Sequence, residues 1–144
     1  MYSVLILWAP DTADNRKVVD AVSRAFDELK TPHTTKRVSD ATVADLTASD
    51  IVLFGVEKAG PAELPPDFAE CLRVFKGITL AGRTAGFFSM GAERATGRLR
   101  RALKETEIAQ RDEDPLFSDG RLNDVTEWAR KLLTWHREQK NGRA

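Results

Sequence analysis

The sequence predicts an α/β domain in which five parallel strands, in the order 2-1-3-4-5, form a doubly wound sheet between two layers of helices. Three observations predict it. Strand-like and helix-like segments alternate along the 144 residues, the pattern of parallel strands joined by crossover helices. The run Ile51-Val52-Leu53-Phe54-Gly55-Val56 is apolar at nearly every position, as a strand is when helices cover both its faces. The length suits a single domain with a core large enough for helices packed on a sheet.

Val4 to Leu7 is an apolar run ending at Trp8, the first strand. A helix opens near Asn15, where Val18, Val22, Phe26 and Leu29 recur at helical spacing with Lys17, Asp20, Arg24 and Asp27 between them. Pro32 closes it, because proline confines the residue before it to extended geometry. Thr34 to Val38, polar and β-branched, reads as an edge strand, and a short helix follows near Thr42 to Leu46. Ile51 to Val56 is the central strand. After the loop Glu57 to Leu64, Pro65-Pro66 starts a helix whose first turn does not need the missing N–H groups. Phe68, Cys71, Leu72 and Phe75 form its core-facing stripe. Thr84 to Phe88 is the fourth strand, and Ser89-Met90-Gly91 leads from it to a helix carrying Ala95, Leu99, Ala102 and Leu103. Glu107 to Gln110 is a weaker fifth strand. The last helix puts Leu122, Val125, Trp128, Ala129, Leu132 and Trp135 on one broad face, before a frayed tail after Gln139.

The 22 basic and 22 acidic residues cancel, which argues against a chain-wide polyanion-binding surface, and no nucleic-acid partner is expected. No apolar run approaches the ~20 residues that span a bilayer, so no membrane partner is expected. No basic segment followed by a long apolar stretch marks a signal peptide. One cysteine, Cys71, excludes an intramolecular disulfide and suits a reducing compartment. The expectation is a cytoplasmic protein.

Cys71 falls on an apolar stripe and reads as a buried structural thiol rather than a nucleophile. His33 and His136 have no cysteine or second histidine at metal-ligand spacing, so no metal site is expected. Asp112-Glu113-Asp114 reads as an exposed acidic turn, with weak cation binding as the alternative. Arg94, Arg98, Arg100, Arg101 and Lys104 form a basic cluster, either a solvated helix face or a dock for an acidic protein partner.

In such a sheet, ligands lie outside the carboxyl ends of strands one, three and four. The loops Pro10–Asp14, Glu57–Leu64 and Ser89–Thr96 leave the sheet there. The first stands at the mouth of a helix, where free N–H groups and the helix dipole favour an anion by about 0.3–2 kcal/mol. Its own residues work against that. Asp11 and Asp14 bring two carboxylates, and unit charges about 4 Å apart repel by about 1 kcal/mol in water and roughly 4 kcal/mol at a protein surface. Ala13 carries a Cβ where glycine would permit positive φ. Arg16 and Lys17 are close in sequence, but no spacing argument carries them to the loop. Asp11 and Thr12 are also good N-cap residues, so a loop capped by its own side chains is favoured over an intact phosphate site. A response-regulator receiver has the same topology but needs an Asp after strand three and a Lys after strand five. Gly55-Val56-Glu57 and Arg111 stand there, and that reading is set aside.

Several segments carry a family resemblance. Asp45-Leu46 and Asp50 precede Ile51-Val52-Leu53-Phe54-Gly55, and Glu63-Leu64-Pro65-Pro66-Asp67-Phe68 enters the third helix. Gly82-Arg83-Thr84-Ala85-Gly86-Phe87-Phe88 leads into the fourth strand, and Pro115-Leu116 is followed by Asp124-Val125 and Trp128-Ala129. Together they resemble the scaffold of short-chain flavodoxins over nearly the whole chain. The resemblance implies a single three-layer domain over residues 1–144, FMN as cofactor, and electron transfer with a redox partner protein. The family holds the FMN phosphate with Ser/Thr-x-Thr-Gly-x-Thr. The matching positions are Pro10, Asp11, Thr12, Ala13, Asp14 and Asn15, of which Thr12 is retained. The loops that bracket the flavin with aromatics match Glu57-Lys58-Ala59-Gly60-Pro61 and Met90-Gly91-Ala92-Glu93-Arg94, and neither contains one.

By that resemblance the cofactor site comprises Asp11, Thr12, Ala13, Asp14, Asn15, Lys58, Ala59, Gly60, Ser89, Met90 and Gly91. The expected function is an FMN-binding electron carrier with weak flavin binding. The alternative is an interaction module on the same fold that has lost FMN. No catalytic residue is assigned, and an FMN-dependent reductase finds no acid–base candidate.

Overall fold

The computed structural model describes residues 2–57, 64–90, 93–110 and 125–142. Among them, β1 (Val4–Ala9), β2 (His33–Arg37), β3 (Ile51–Glu57), β4 (Thr84–Met90) and β5 (Ala109–Gln110) form one sheet in the order β2-β1-β3-β4-β5. Every pairing is parallel. The helices are α1 (Ala13–Glu28), α2 (Val43–Ala48), α3 (Ala69–Phe75), α4 (Glu93–Leu103) and α5 (Val125–Gly142).

The two-residue period of β3 sorts the core. Val52, Phe54 and Val56 face a layer that includes Phe68 and Phe75 before and within α3 and Leu99 and Leu103 from α4. Ile51 and Leu53 face the opposite layer, built from Val18, Val22 and Phe26 of α1 and Ala129 and Leu132 of α5. Ile51 to Phe54 and Val56 are fully buried, which makes β3 the central strand its composition predicts. Gly55 shares the α1–α5 face with Ile51 and Leu53, and the Phe88 ring fills the space above it. A Cβ there would lie 2.4 Å from the ring.

Several boundaries differ from expectation, each for a local reason. β2 starts at His33 and stops at Arg37, the last residue paired with β1, and Val38 turns in to be buried. α1 opens at Ala13 because Thr12 caps it, and it ends at Glu28, before Pro32. Lys30 reverses the chain with φ 51°, and the Thr31 N–H bonds the Phe26 carbonyl. β1 continues to Ala9 and β4 to Met90. β5 is reduced to two residues because Glu107 is left-handed, with φ 65°. α5 runs on to Gly142. Its buried line is Val125, Ala129, Leu132 and His136, while Trp128 and Trp135 are half-buried, so histidine takes the place expected for Trp135. Its Nδ1 lies 2.7 Å from the Thr84 hydroxyl, and Tyr2 packs on it edge-on. Leu122 lies outside the described residues.

The basic cluster divides. Arg98, Arg101 and Lys104 are exposed, but Arg100 is half-buried with its guanidinium 4.5 Å from the centre of the Phe87 ring. A long apolar stem and a planar charged head allow both contacts at once. Cys71 is buried, and burial pushes its thiol up to about 12, so the reactive thiolate is scarce at neutral pH.

Candidate functional site

Parallel register brings the strand ends level. Ala9, Val56 and Ser89 form one row across β1, β3 and β4, and Glu57 stands beside Met90 at the next step. The chain leaves β1 through Pro10 and Asp11, and Thr12 caps α1 in an extended conformation. The Thr12 hydroxyl oxygen accepts the Asn15 N–H at 3.1 Å. Asn15 is buried, and its side-chain amide donates to the Pro10 carbonyl at 3.0 Å, closing the bend on itself.

Two cations hold Asp11. Arg16 Nε approaches Oδ1 at 2.5 Å, and Arg37 Nη1 approaches Oδ2 at 3.2 Å. The Arg16 hydrogen bond holds the Asp11 carboxyl below its usual range, against a smaller opposing effect of desolvation and with added help from Arg37. Arg37 reaches this position because Trp8 and Arg37 are partners at the ends of β1 and β2.

The Thr12 hydroxyl, which accepts from Asn15, donates its own proton to Glu57 Oε2. Glu57 ends β3 and has the same parity as Ile51, Leu53 and Gly55, so the pleat directs it to the α1 side of the sheet.

The sequence-predicted residues fall as follows. Asp11, Thr12, Ala13, Asp14 and Asn15 form the α1 mouth, with Ala13 and Asp14 exposed in its first turn. Ser89 is buried on β4 opposite Val56, and Met90 ends that strand. Lys58, Ala59, Gly60 and Gly91 lie outside the described residues, as does the acidic turn Asp112 to Asp114. Arg16, Arg37 and Glu57 were not assigned to the site from sequence. Glu57 had a legible signal in its parity with Leu53 and Gly55, whereas Arg37 depended on strand pairing that no local spacing reveals. Arg16, which no spacing argument carried to the loop, pairs with Asp11; Thr12 alone caps the helix, and the acid on its hydroxyl is Glu57.

Among the described residues, no group of three or more His, Cys, Asp or Glu is placed to hold a metal ion. Among the same residues, no helix is long and apolar enough to cross a membrane. Open grooves of about 540 Å³ between α1 and α5 and about 430 Å³ beside the start of β2 lie away from this rim.

No family model and no curated protein matches the chain. Solved structures do. A short-chain flavodoxin associated with a bacterial microcompartment superposes with a TM-score of 0.81 at 16% identity, over 94% of this chain and 99% of that one. The chain has the flavodoxin fold. Oxidised flavodoxin 1 of Bacillus cereus gives a TM-score of 0.79 at 17% identity, over 92% of this chain and 97% of its own. The Fusobacterium nucleatum flavodoxin bound to flavin mononucleotide gives 0.71 at 13% identity, over 99% of both chains. At these identities the likeness establishes the fold.

The loop as it stands does not fit a flavin phosphate. Thr12, the retained motif residue, already donates to a carboxylate, so a phosphate oxygen would have to displace Glu57 to receive that proton. Two like charges about 4 Å apart repel by roughly 4 kcal/mol at a protein surface, more than the ~0.3–2 kcal/mol that the helix mouth offers an anion. Arg16 and Arg37 are engaged with Asp11.

Proposed function

We propose that the chain is a flavodoxin-like electron carrier that holds FMN weakly, by its ring and ribityl chain rather than by its phosphate, and that works with a redox partner protein. The observation that carries this reading is the level row Ala9, Val56 and Ser89 with Thr12 at the α1 mouth, which leaves the strand-end rim of the flavodoxin fold in place. The weakness follows from the Thr12–Glu57 hydrogen bond. The test is a fluorescence-quenching titration of FMN into the purified chain, beside Bacillus cereus flavodoxin 1. Saturable one-to-one quenching at higher FMN concentration than the comparison protein needs is expected, with bound flavin that reduces and reoxidises reversibly. No quenching at any concentration would remove the reading.

One observation favours a second reading, a flavodoxin-fold interaction module without flavin. Asp11, Thr12 and Asn15 all have partners within the chain, so the rim is satisfied with no ligand in it. The surface to test is then α4, where Arg98 and Arg101 are exposed and suit an acidic partner. Arg98→Glu with Arg101→Glu is expected to slow association with such a partner. Equal recovery of the same partners from lysate by both proteins would exclude that surface.

A further inference from the structure

We propose that Glu57 makes this crevice select a flavin that ends in a hydroxyl, riboflavin, over one that ends in a phosphate; the proposal rests on the flavin reading above. Three features of the α1 mouth support it. The Thr12 proton points at Glu57, so the loop's hydroxyl presents no donor to an incoming anion. The Asn15 amide is buried, and one of its two N–H donors is committed to the Pro10 carbonyl. The two guanidiniums that could attract a phosphate are bound to Asp11. A phosphate would therefore meet an acid in place of a donor.

A terminal hydroxyl meets the opposite situation. A carboxylate has about four lone-pair positions on its two oxygens. Glu57 can keep the Thr12 hydrogen bond and accept a second from the free 5′-hydroxyl of a ribityl chain. That hydroxyl is the group FMN has replaced with phosphate. Hydrogen bonds to an ionised acceptor are about twice as strong as neutral ones, so the same side chain repels one flavin and recognises the other. Asp11 adds little to the discrimination because Arg37 also pairs with Asp40, so the two guanidiniums and two carboxylates of this cluster carry no net charge.

The experiment titrates riboflavin and FMN separately into the wild-type chain and into Glu57→Gln, following flavin fluorescence, with circular dichroism melts to confirm that both proteins are folded. Wild type is expected to bind riboflavin at least as tightly as FMN. Glu57→Gln keeps the shape and an oxygen for the Thr12 proton but removes the charge. It is expected to tighten FMN by about tenfold or more, a change of ~1.4 kcal/mol, while riboflavin weakens as its hydrogen bond loses the ionised acceptor. FMN binding wild type about tenfold more tightly than riboflavin would overturn the proposal. So would a riboflavin-to-FMN ratio that Glu57→Gln leaves unchanged. The wild-type ratio decides the matter even if the variant does not fold. Quenching of neither flavin by wild type would instead remove the flavin reading itself, and this inference with it.

Discussion

Gly55→Ala is expected to destabilise the protein by about 1–3 kcal/mol, the usual cost of forcing a methyl into a packed core. The new Cβ would stand 2.4 and 2.5 Å from two atoms of the Phe88 ring and 3.3 Å from a third. Relief requires the ring to move as a rigid plate, because no flexible side-chain end takes up the contact. Phe88 is buried, and Trp128 packs against it edge-on with ring centres 6.1 Å apart, so there is little space for retreat. Gly55 and Phe88 are also direct register partners, and a backbone shift at one strains the β3–β4 pairing that levels the site. The cost is therefore expected in the upper half of the range. Urea denaturation measures it as a lower midpoint with an unchanged slope. Adding Phe88→Leu to Gly55→Ala is expected to cost less than the two changes summed, because the leucine vacates the space the methyl needs. If Gly55→Ala is as stable as wild type within about 0.5 kcal/mol, the close-approach argument is wrong.

Three further outcomes are expected. Thr84→Val removes the hydroxyl partner of the buried His136 imidazole and is expected to cost about 1–3 kcal/mol in the same urea assay; an unchanged midpoint would show that the 2.7 Å contact contributes nothing. Asp11 and Asp45 are both more acidic folded than unfolded, chiefly through hydrogen bonds from Arg16 and from Lys36 respectively. Their contribution is full above the ordinary value of 3.8 and is lost as pH falls through the lower folded values. Wild type is thus expected to lose more stability than an Asp11→Asn, Asp45→Asn double variant when the urea midpoint is followed downward through that range, and parallel curves would contradict it. Cys71, with its thiol raised by burial, is expected to react with a disulfide reagent slowly in the native protein and rapidly in urea; equal rates would mean that the thiol is not enclosed.

Most of the fold was legible because the core follows simple periods. Ile51 to Val56 announces a strand covered on both faces, and Val18, Val22 and Phe26 mark the α1 face that covers it. Helical spacing was less exact for α5, where half-buried Trp128 and Trp135 looked like core and buried His136 did not. Polarity hid a residue whose hydrogen bond to Thr84 lies 52 positions away in sequence. At the site, Thr12 was readable as a cap because capping is local. The charges around it were not, since Arg37 and Glu57 arrive through strand register and pleat, which depend on pairing across the sheet. Those two residues change the electrostatic argument: one helps neutralise the acid the sequence offered, and the other supplies a different acid.

Amide chemical-shift mapping of the labelled chain during addition of FMN tests the central claim most directly. Shifts concentrated at Asp11 to Asn15, Gly55 to Glu57 and Ser89, growing with flavin concentration, are the expected result, with much smaller changes at the opposite ends of the same strands around Val4, Ile51 and Thr84. A spectrum that saturating FMN leaves unmoved at the strand-end rim, or that moves only along α4, would contradict flavin binding in this crevice.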